Sequence, residues 1–277
     1  MNLEIGKKQR LIVERFTDNG AYLITPSGQE VLLPNKYVDN LKKGDVVLVF
    51  VYTDSMDRPV ATTETPKVMA DQFACLEVKD TSTHGAFMDW GLEKDLFVPF
   101  KEQERKMKTG QWYLVYAFLD KLTKRMMASS YVHRYIKKDK IDLVEGDEVS
   151  IIVGNTTPNG TQVIVENLYQ GLLYENEVFE ELLMGSHRIG FVKKIREDGK
   201  LDISLRKTGM DNLEEGAQRI LAALERNQGR LSLHDKSTPE EIQMILQMSK
   251  KNFKRSLGIL YKAQRVVLVE NEIKLKT

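Results

Sequence analysis

The chain of 277 residues carries 41 Lys and Arg against 40 Asp and Glu, a formal net charge of +1, with 42% hydrophobic and 29% charged residues. This composition is typical of a globular protein, and the near-neutral charge argues against a uniformly basic nucleic-acid binder. No apolar run approaches the roughly 18 residues of a membrane-spanning helix, and the first residues lack the apolar core of a signal peptide. We therefore predict a cytoplasmic protein with no membrane association, and the single Cys75 fits a reducing compartment.

A short motif recurs three times along the chain. In each copy a glycine after a polar turn residue begins a β-rich segment, at Gly20, Gly85 and Gly160. A predicted partner strand follows at the same offset in each copy, at residues 31–34, 96–99 and 171–174. A later glycine moves with them, at Gly44, Gly110 and Gly185. Three landmarks that advance together indicate three copies of one small β unit.

Each copy contains about five short segments whose residue pattern predicts β-strands. Five strands in about 60 residues suit a small closed barrel, because closure removes the exposed edges of a sheet. We place the three domains at residues 1–64, 65–137 and 138–209, of which the third is the least regular. Trp90 and Trp112 of the second copy are expected in the core.

From Leu213 the apolar period changes from 2 to about 3.6, which indicates helices. The first helix is predicted to run to about Arg226 and to end at a glycine C-cap, Gly229. Polar, proline and acidic residues at 237–241 begin a second helix, with the predicted apolar face Ile242, Ile245 and Leu246.

A third helix is predicted from about Ser249, with the apolar face Phe253, Leu257 and Leu260. Two strands then flank a turn at residues 270–272. Three helices followed by a hairpin are the order of a winged helix, so we assign residues 210–277 to that domain. The predicted fold class is therefore mainly β with an α+β C-terminal domain.

The third predicted helix has an unusual distribution of charge. No acidic residue occurs between Ile242 and Val269, whereas this segment contains Lys250, Lys251, Lys254, Arg255, Lys262 and Arg265. At helical spacing the first five lie opposite the apolar face. A cationic face of this kind suits the phosphate backbone of a nucleic acid, and lysines position a backbone more readily than they read sequence.

The second copy resembles the S1 RNA-binding domain, a five-stranded OB-fold barrel. The resemblance lies in Gly85-Ala86-Phe87, in Asp95 to Pro99, in Gly110, and in Lys124-Arg125-Met126 with Ser129. Three S1-like copies followed by a winged helix resemble the conserved virulence factor B family of bacterial regulators. The resemblance implies three tandem S1-like OB-fold barrels before the winged helix, and RNA as the partner.

In S1 domains two aromatic residues and an acid and a base after the fourth strand contribute to the RNA face. By position the resemblance implies, in the second copy, His84, Phe87, Asp120 and Lys124, with Arg125 an equally good basic residue. The first copy retains Tyr22, Asp54 and Arg58. The third retains Tyr174 and Lys200, whereas Asn159 and Gln162 replace its aromatics. Pro34 and Pro99 replace a histidine that the family often has. We therefore expect RNA binding mainly in the second copy and a mainly structural third copy.

These residues predict a non-enzymatic regulator that binds single-stranded RNA and acts in post-transcriptional control. Phe87 would stack a base, although a strand phenylalanine can equally belong to the core. No catalytic residue, cofactor, metal site or small-molecule substrate is predicted, because the four histidines are far apart and no phosphate-binding glycine loop occurs. Two alternatives stay open: a DNA-binding transcription regulator that uses the winged helix, and a protein-interaction scaffold on a ribosome or RNase complex.

Overall fold

The structure is a computed structural model that describes residues 2–138, 140–175, 178, 181–206, 210–269 and 272–276, with the backbone alone at 210–215. The chain divides into two compact units, Met1–Ile136 and Lys137–Thr277. The predicted domain limits within them stay predictions.

The first unit contains two closed five-stranded barrels. Barrel 1 consists of β1 (Lys8–Thr17), β2 (Gly20–Ile24), β3 (Glu30–Pro34), β4 (Val46–Thr53) and β5 (Pro59–Thr62). Barrel 2 consists of β6 (Gln72–Thr81), β7 (Gly85–Met88), β8 (Leu96–Pro99), β9 (Trp112–Leu119) and β10 (Met126–Ser129). In both, the third strand pairs in parallel with the fifth and every other pair is antiparallel.

Barrel 3 begins the second unit and repeats this topology. Its strands are β11 (Glu148–Thr157), β12 (Gly160–Val165), β13 (Tyr169–Leu173), β14 (His187–Ile195) and β15 (Leu201–Ser204). The parallel pair is again the third and fifth strand. Three barrels of one strand order confirm the predicted OB-fold repeat.

The repeated glycines have a steric role in this repeat. Gly20, Gly85 and Gly160 each begin the second strand of a barrel, where a Cβ atom would collide with a carbonyl oxygen of the partner strand, that of Leu33, Val98 and Leu173 respectively. Only glycine allows the two backbones to approach this closely. The motif therefore marks the point at which strands two and three meet.

Barrels 1 and 2 share part of their core. Phe50 and Tyr52 of β4 belong to the same buried cluster as Trp90, whose ring lies 5.7 Å from that of Phe50 in an edge-on contact. Trp90 is thus buried as predicted, but the prediction for Trp112 is wrong, since it is 48% exposed. Trp112 begins β9, and the alternation that turns Tyr113 and Val115 inward turns Trp112 outward.

The C-terminal part of the second unit is a winged helix. Its elements are α1 (Met210–Arg226), β16 (Arg230–Leu231), α2 (Pro239–Leu246), α3 (Lys250–Lys262), β17 (Val266–Val269) and β18 (Glu272–Leu275), and the strands form one sheet in the order β16-β18-β17. The two-residue strand β16 was not predicted. The side chain of Leu213 and the turn residues Glu270 and Asn271 lie outside the described residues.

The predicted helix ends are confirmed. Thr238 caps α2: its hydroxyl accepts from the backbone N–H of Glu241, whose carboxylate accepts from the backbone N–H of Thr238. Gly229 follows α1 with a φ of +80° and donates its N–H to the carbonyl of Leu224. The prediction for Ile245 is wrong, because it is 44% exposed while Ile242 and Leu246 bury the single apolar face of this short helix.

Candidate nucleic-acid interface

A groove on the outer surface of barrel 2 brings together three of the five site residues predicted in the second copy, His84, Phe87 and Arg125. It lies across β7, β8 and β10 and the turns that flank them. We call it the barrel 2 groove; its lining includes His84, Phe87, Lys94, Phe97, Pro99, Lys101, Arg125 and Met127. Cations, rings and one imidazole thus share a single concave surface.

Phe87 lines this groove and is not a core residue. In β7 the alternation buries Ala86 and Met88 and leaves Phe87 half-buried on the outer face. Its ring lies 5.1 Å from the ring of Phe97, at an interplanar angle of 39°. Sequence reasoning missed Phe97, although the buried Leu96 and Val98 on either side of it in β8 predict an outward side chain.

His84 lies beside these rings in the turn between β6 and β7. It is exposed, and its Nδ1 lies 3.1 Å from the hydroxyl of Thr83. Its backbone N–H donates to the hydroxyl of Ser82 at 3.1 Å, which fixes the turn. The imidazole is therefore presented at the groove by a turn with its own hydrogen bonds.

Asp120 and Lys124 form the turn that precedes β10. The Asp120 carboxylate accepts from the backbone N–H and the hydroxyl of Thr123, at 2.8 and 2.7 Å, and these bonds lower the pKa of Asp120. Lys124 is exposed in a left-handed conformation, with a φ of +57°. Thr123 and Arg125 line the groove, whereas Asp120 shapes the turn that carries them.

Of the two predicted basic residues Lys124 and Arg125, Arg125 is the one that lines the groove. Its guanidinium forms an ion pair with Asp57, which lies in the β4–β5 turn of barrel 1, and this bond raises the pKa of Arg125. Lys94 approaches the same turn, since its ammonium donates to the carbonyl of Asp54 at 2.6 Å. The edge of the barrel 2 groove is therefore joined to barrel 1 by paired charges.

The corresponding residues of barrel 1 are engaged with one another. The Arg15 guanidinium lies 3.7 Å from the centre of the Tyr22 ring and also binds Glu30 at 2.7 Å. Arg58 binds the carboxylate of Asp54 within its own turn at 2.7 Å. Tyr22 and Arg58 are thus held by intramolecular charges, and one face of the Tyr22 ring is covered.

Barrel 3 has a more polar groove at the corresponding place. It is lined by residues that include Asn159, Gln162, Tyr174, Arg196 and Lys200. The Tyr174 hydroxyl donates to the carboxylate of Asp202 at 3.2 Å, and Arg196 binds the same carboxylate at 3.1 Å. Amides and an internal ion pair thus replace the rings found in barrel 2.

The basic residues of α3 lie on its exposed face, as helical spacing predicts. Lys251, Lys254, Arg255 and Lys262 are exposed, Lys250 is half-buried, and Phe253, Leu257 and Leu260 pack into the core. None of the ion pairs between described residues involves these five cations. The face therefore presents uncompensated positive charge to solvent.

In the part of the chain that the structure describes, no group of three or more His, Cys, Asp or Glu side chains is arranged to hold a metal ion. No helix among the described residues is long and apolar enough to cross a membrane.

Comparison with known proteins assigns the two ends of the chain. Residues 5–64 match the S1 domain and residues 218–275 match the CvfB-like winged helix domain. Together with the three barrels, these matches define a protein built from nucleic-acid-binding domains.

The chain belongs to the conserved virulence factor B family. It is 30% identical over 271 residues to the uncharacterized protein YitL of Bacillus subtilis, covering 94% of this chain and 90% of that protein. It is 26% identical to conserved virulence factor B of Staphylococcus aureus, covering 96% and 92%. A crystal structure of a multidomain protein with nucleic acid binding domains from Streptococcus pneumoniae matches over 98% of both chains, with 26% identity and a TM-score of 0.43.

Proposed function

We propose that this protein binds single-stranded RNA through the barrel 2 groove and the basic face of α3, and that it regulates gene expression after transcription without catalysing a reaction. The observation that carries the proposal is the outward pair of rings, Phe87 and Phe97, beside the exposed His84 and the cations of the groove. Proteins that bind single strands combine such rings with basic groups that follow the phosphates.

The accessibility of the bases favours single strands over a duplex at this groove. In a duplex the bases stack on one another, and only their edges face the grooves. An unpaired strand can place its bases flat on Phe87 and Phe97, and each stacked base contributes about 1–3 kcal/mol. We therefore assign base contacts to barrel 2.

The basic face of α3 supports a second contact. Its exposed lysines and arginine neutralise phosphates on any strand, so this contribution is sensitive to salt and carries no sequence information. Two modest sites on one chain raise the overall affinity when one RNA reaches both. The same face would also suit duplex DNA, which makes a DNA-binding regulator the second candidate.

Fluorescence anisotropy with labelled single-stranded RNA and duplex DNA, at about 50 and 200 mM salt, tests the proposal. Phe87→Leu retains apolar volume but removes the ring. The double variant Lys251/Lys254→Ala neutralises α3, and Lys42/Lys43→Ala is its control, because it removes two exposed charges from a turn of barrel 1.

We expect RNA to bind more tightly than duplex DNA. Phe87→Leu should weaken RNA binding about fivefold or more with an unchanged salt dependence. Lys251/Lys254→Ala should weaken it and flatten the salt dependence, while Lys42/Lys43→Ala does neither. If duplex DNA binds more tightly than RNA and Phe87→Leu does not change the affinity, the result would support a DNA-binding transcription regulator instead. If neither nucleic acid binds, the result would support a protein-interaction scaffold.

A further inference from the structure

The two rings of the barrel 2 groove are one end of a longer row of outward side chains. The strand register places Phe87 opposite Phe97, Phe97 opposite Met127, and Met127 opposite Phe118. Four neighbouring strands, β7, β8, β10 and β9, thus each contribute one large side chain to the same line.

All four side chains face outward. Each is half-buried, and the residues before and after Phe87, Phe97 and Met127 are buried, as is Ala117 before Phe118. Since neighbouring strands lie about 4.8 Å apart, the row extends about 14 Å across the barrel. Two rings alone would cover only the first third of this distance.

Tyr135 packs against the β9 end of the row. It follows the short 3-10 helix Val132–Arg134, and its ring stacks on Phe118 at 5.8 Å and on Tyr116 at 4.1 Å, with interplanar angles of 22° and 15°. Burial raises the pKa of Tyr116 to about 12 and also raises that of Tyr135, so both phenols stay neutral near pH 7. Neutral aromatic rings therefore cover the β9 end of the row.

Basic groups border this surface on the side of Tyr135. Arg134 is exposed, lies 3.8 Å from the ring centre of Tyr131 and pairs with the Glu102 carboxylate at 3.7 Å, and the exposed His133 is next to it. Lys101 borders the groove at β8. Rings in a line with cations beside them are the arrangement that holds successive nucleotides of one strand.

We propose that this outer row, formed by Phe87, Phe97, Met127, Phe118 and Tyr135, is a track for two to three successive bases of a single strand, with a second stacking subsite at Phe118 and Tyr135. The proposal rests on the RNA binding proposed above and extends it from one contact to a path. The four-stranded sheet of RRM domains uses the same principle, because its aromatic residues stack two or three bases. The thioether of Met127 contacts rings favourably and bridges the two aromatic ends.

The test is the affinity of the full-length protein for a labelled single-stranded oligouridylate of about six nucleotides, a length within the range bound by one OB fold. Phe118→Leu removes the ring but retains apolar volume, and Phe118→Tyr restores a ring. Trp112→Leu is the matched control, since Trp112 is an outward aromatic at the opposite end of the same strand. Thermal denaturation shows that each variant is folded.

We expect Phe118→Leu and Phe87→Leu each to weaken binding about fivefold or more, Phe118→Tyr to stay near wild type, and Trp112→Leu to have no effect. If Phe87→Leu weakens binding and Phe118→Leu does not, the second subsite is wrong and the proposed function stands. If neither variant weakens binding, both are wrong. An equal loss for Phe118→Leu and Phe118→Tyr would also overturn the subsite, because the ring would then not be what binds.

Discussion

Arg125 is the residue at which barrel 1 and the barrel 2 groove meet. Its guanidinium binds Asp57, so a carboxylate of barrel 1 pairs with a cation of the groove that we propose to bind RNA. An exposed ion pair contributes little to stability, about 0–1 kcal/mol, and a phosphate can replace the carboxylate at low cost. Asp57 is therefore expected to compete with RNA.

Asp57→Asn should accordingly strengthen RNA binding about two- to fivefold, because it frees Arg125 and removes a negative charge beside the groove. The measurement is the anisotropy titration described above, and Asp39→Asn is the control with the same change of charge at an exposed position of barrel 1. Weaker binding by Asp57→Asn alone would mean that the carboxylate positions Arg125 and does not compete with RNA.

Asp120 offers a test of the turn that carries Arg125. Hydrogen bonds from the backbone and hydroxyl of Thr123 lower the pKa of Asp120. The ionised carboxylate therefore stabilises the turn fully at pH values above the ordinary Asp pKa of about 3.9. This stabilisation is lost as the pH falls through the lower pKa of the folded state. Thr123→Val removes the hydroxyl donor and should raise the pKa of Asp120 toward its ordinary value in a carbon-detected NMR titration. An unchanged value would show that the hydroxyl does not bind Asp120 in solution.

For single elements, the threefold repeat can be predicted from the sequence because the same steric requirement for glycine recurs in each barrel. Gly20, Gly85 and Gly160 are visible in the sequence since no other residue fits where strands two and three approach. The caps of α1 and α2 were readable for the same reason, because capping chemistry is local. The start of strand two in each barrel and the ends of α1 and α2 can therefore be predicted from the residues at those positions alone.

Other features depend on partners that are distant in sequence. Strand β16 has only two residues and exists because it pairs with β18. The row through Phe97, Met127 and Phe118 requires the register of three strand pairs. The prediction that Trp112 is buried is wrong because it relies on the average preference of aromatic residues for cores. Its position in β9 places the side chain on the outer face of the barrel.

Alanine substitution at Gly85 tests the close approach of strands two and three through its effect on stability. Gly85→Ala should destabilise barrel 2 by about 1–3 kcal/mol, because the added Cβ would meet the Val98 carbonyl and the Phe97 ring. Gly258→Ala is the contrasting change, since nothing lies within 4 Å of its Cβ position in α3, and it should stabilise that helix by up to about 1 kcal/mol. Urea denaturation measures both, and equal effects of the two substitutions would contradict the steric account.

Because barrels 1 and 2 share a buried cluster, we expect the first unit to unfold as one cooperative body. Trp90→Ala should cost about 3–5 kcal/mol and accelerate amide exchange in β4 of barrel 1 as well as in barrel 2, because Phe50 and Tyr52 pack on the indole. Trp112→Ala removes an exposed indole and should change stability by no more than about 0.5 kcal/mol. Unaltered exchange in β4 after Trp90→Ala would mean that the barrels fold independently.

The distribution of charge over the chain agrees with the two proposed contacts. Residues 67–139 carry 13 basic and 10 acidic side chains, and residues 210–277 carry 12 and 9, whereas residues 140–209 carry 8 and 12. The near-neutral total therefore conceals two basic segments, which contain the barrel 2 groove and α3. A chain with this pattern can bind phosphates locally without a general attraction to polyanions.

Photo-crosslinking of single-stranded RNA that contains 4-thiouridine, followed by mass spectrometry of the attached peptides, locates the RNA contacts along the chain. We predict adducts in the segments 84–101 and 118–135 of barrel 2 and on α3, competed by unlabelled single-stranded RNA and much less by duplex DNA. Adducts confined to the winged helix and competed equally by duplex DNA would contradict RNA binding by the barrel 2 groove.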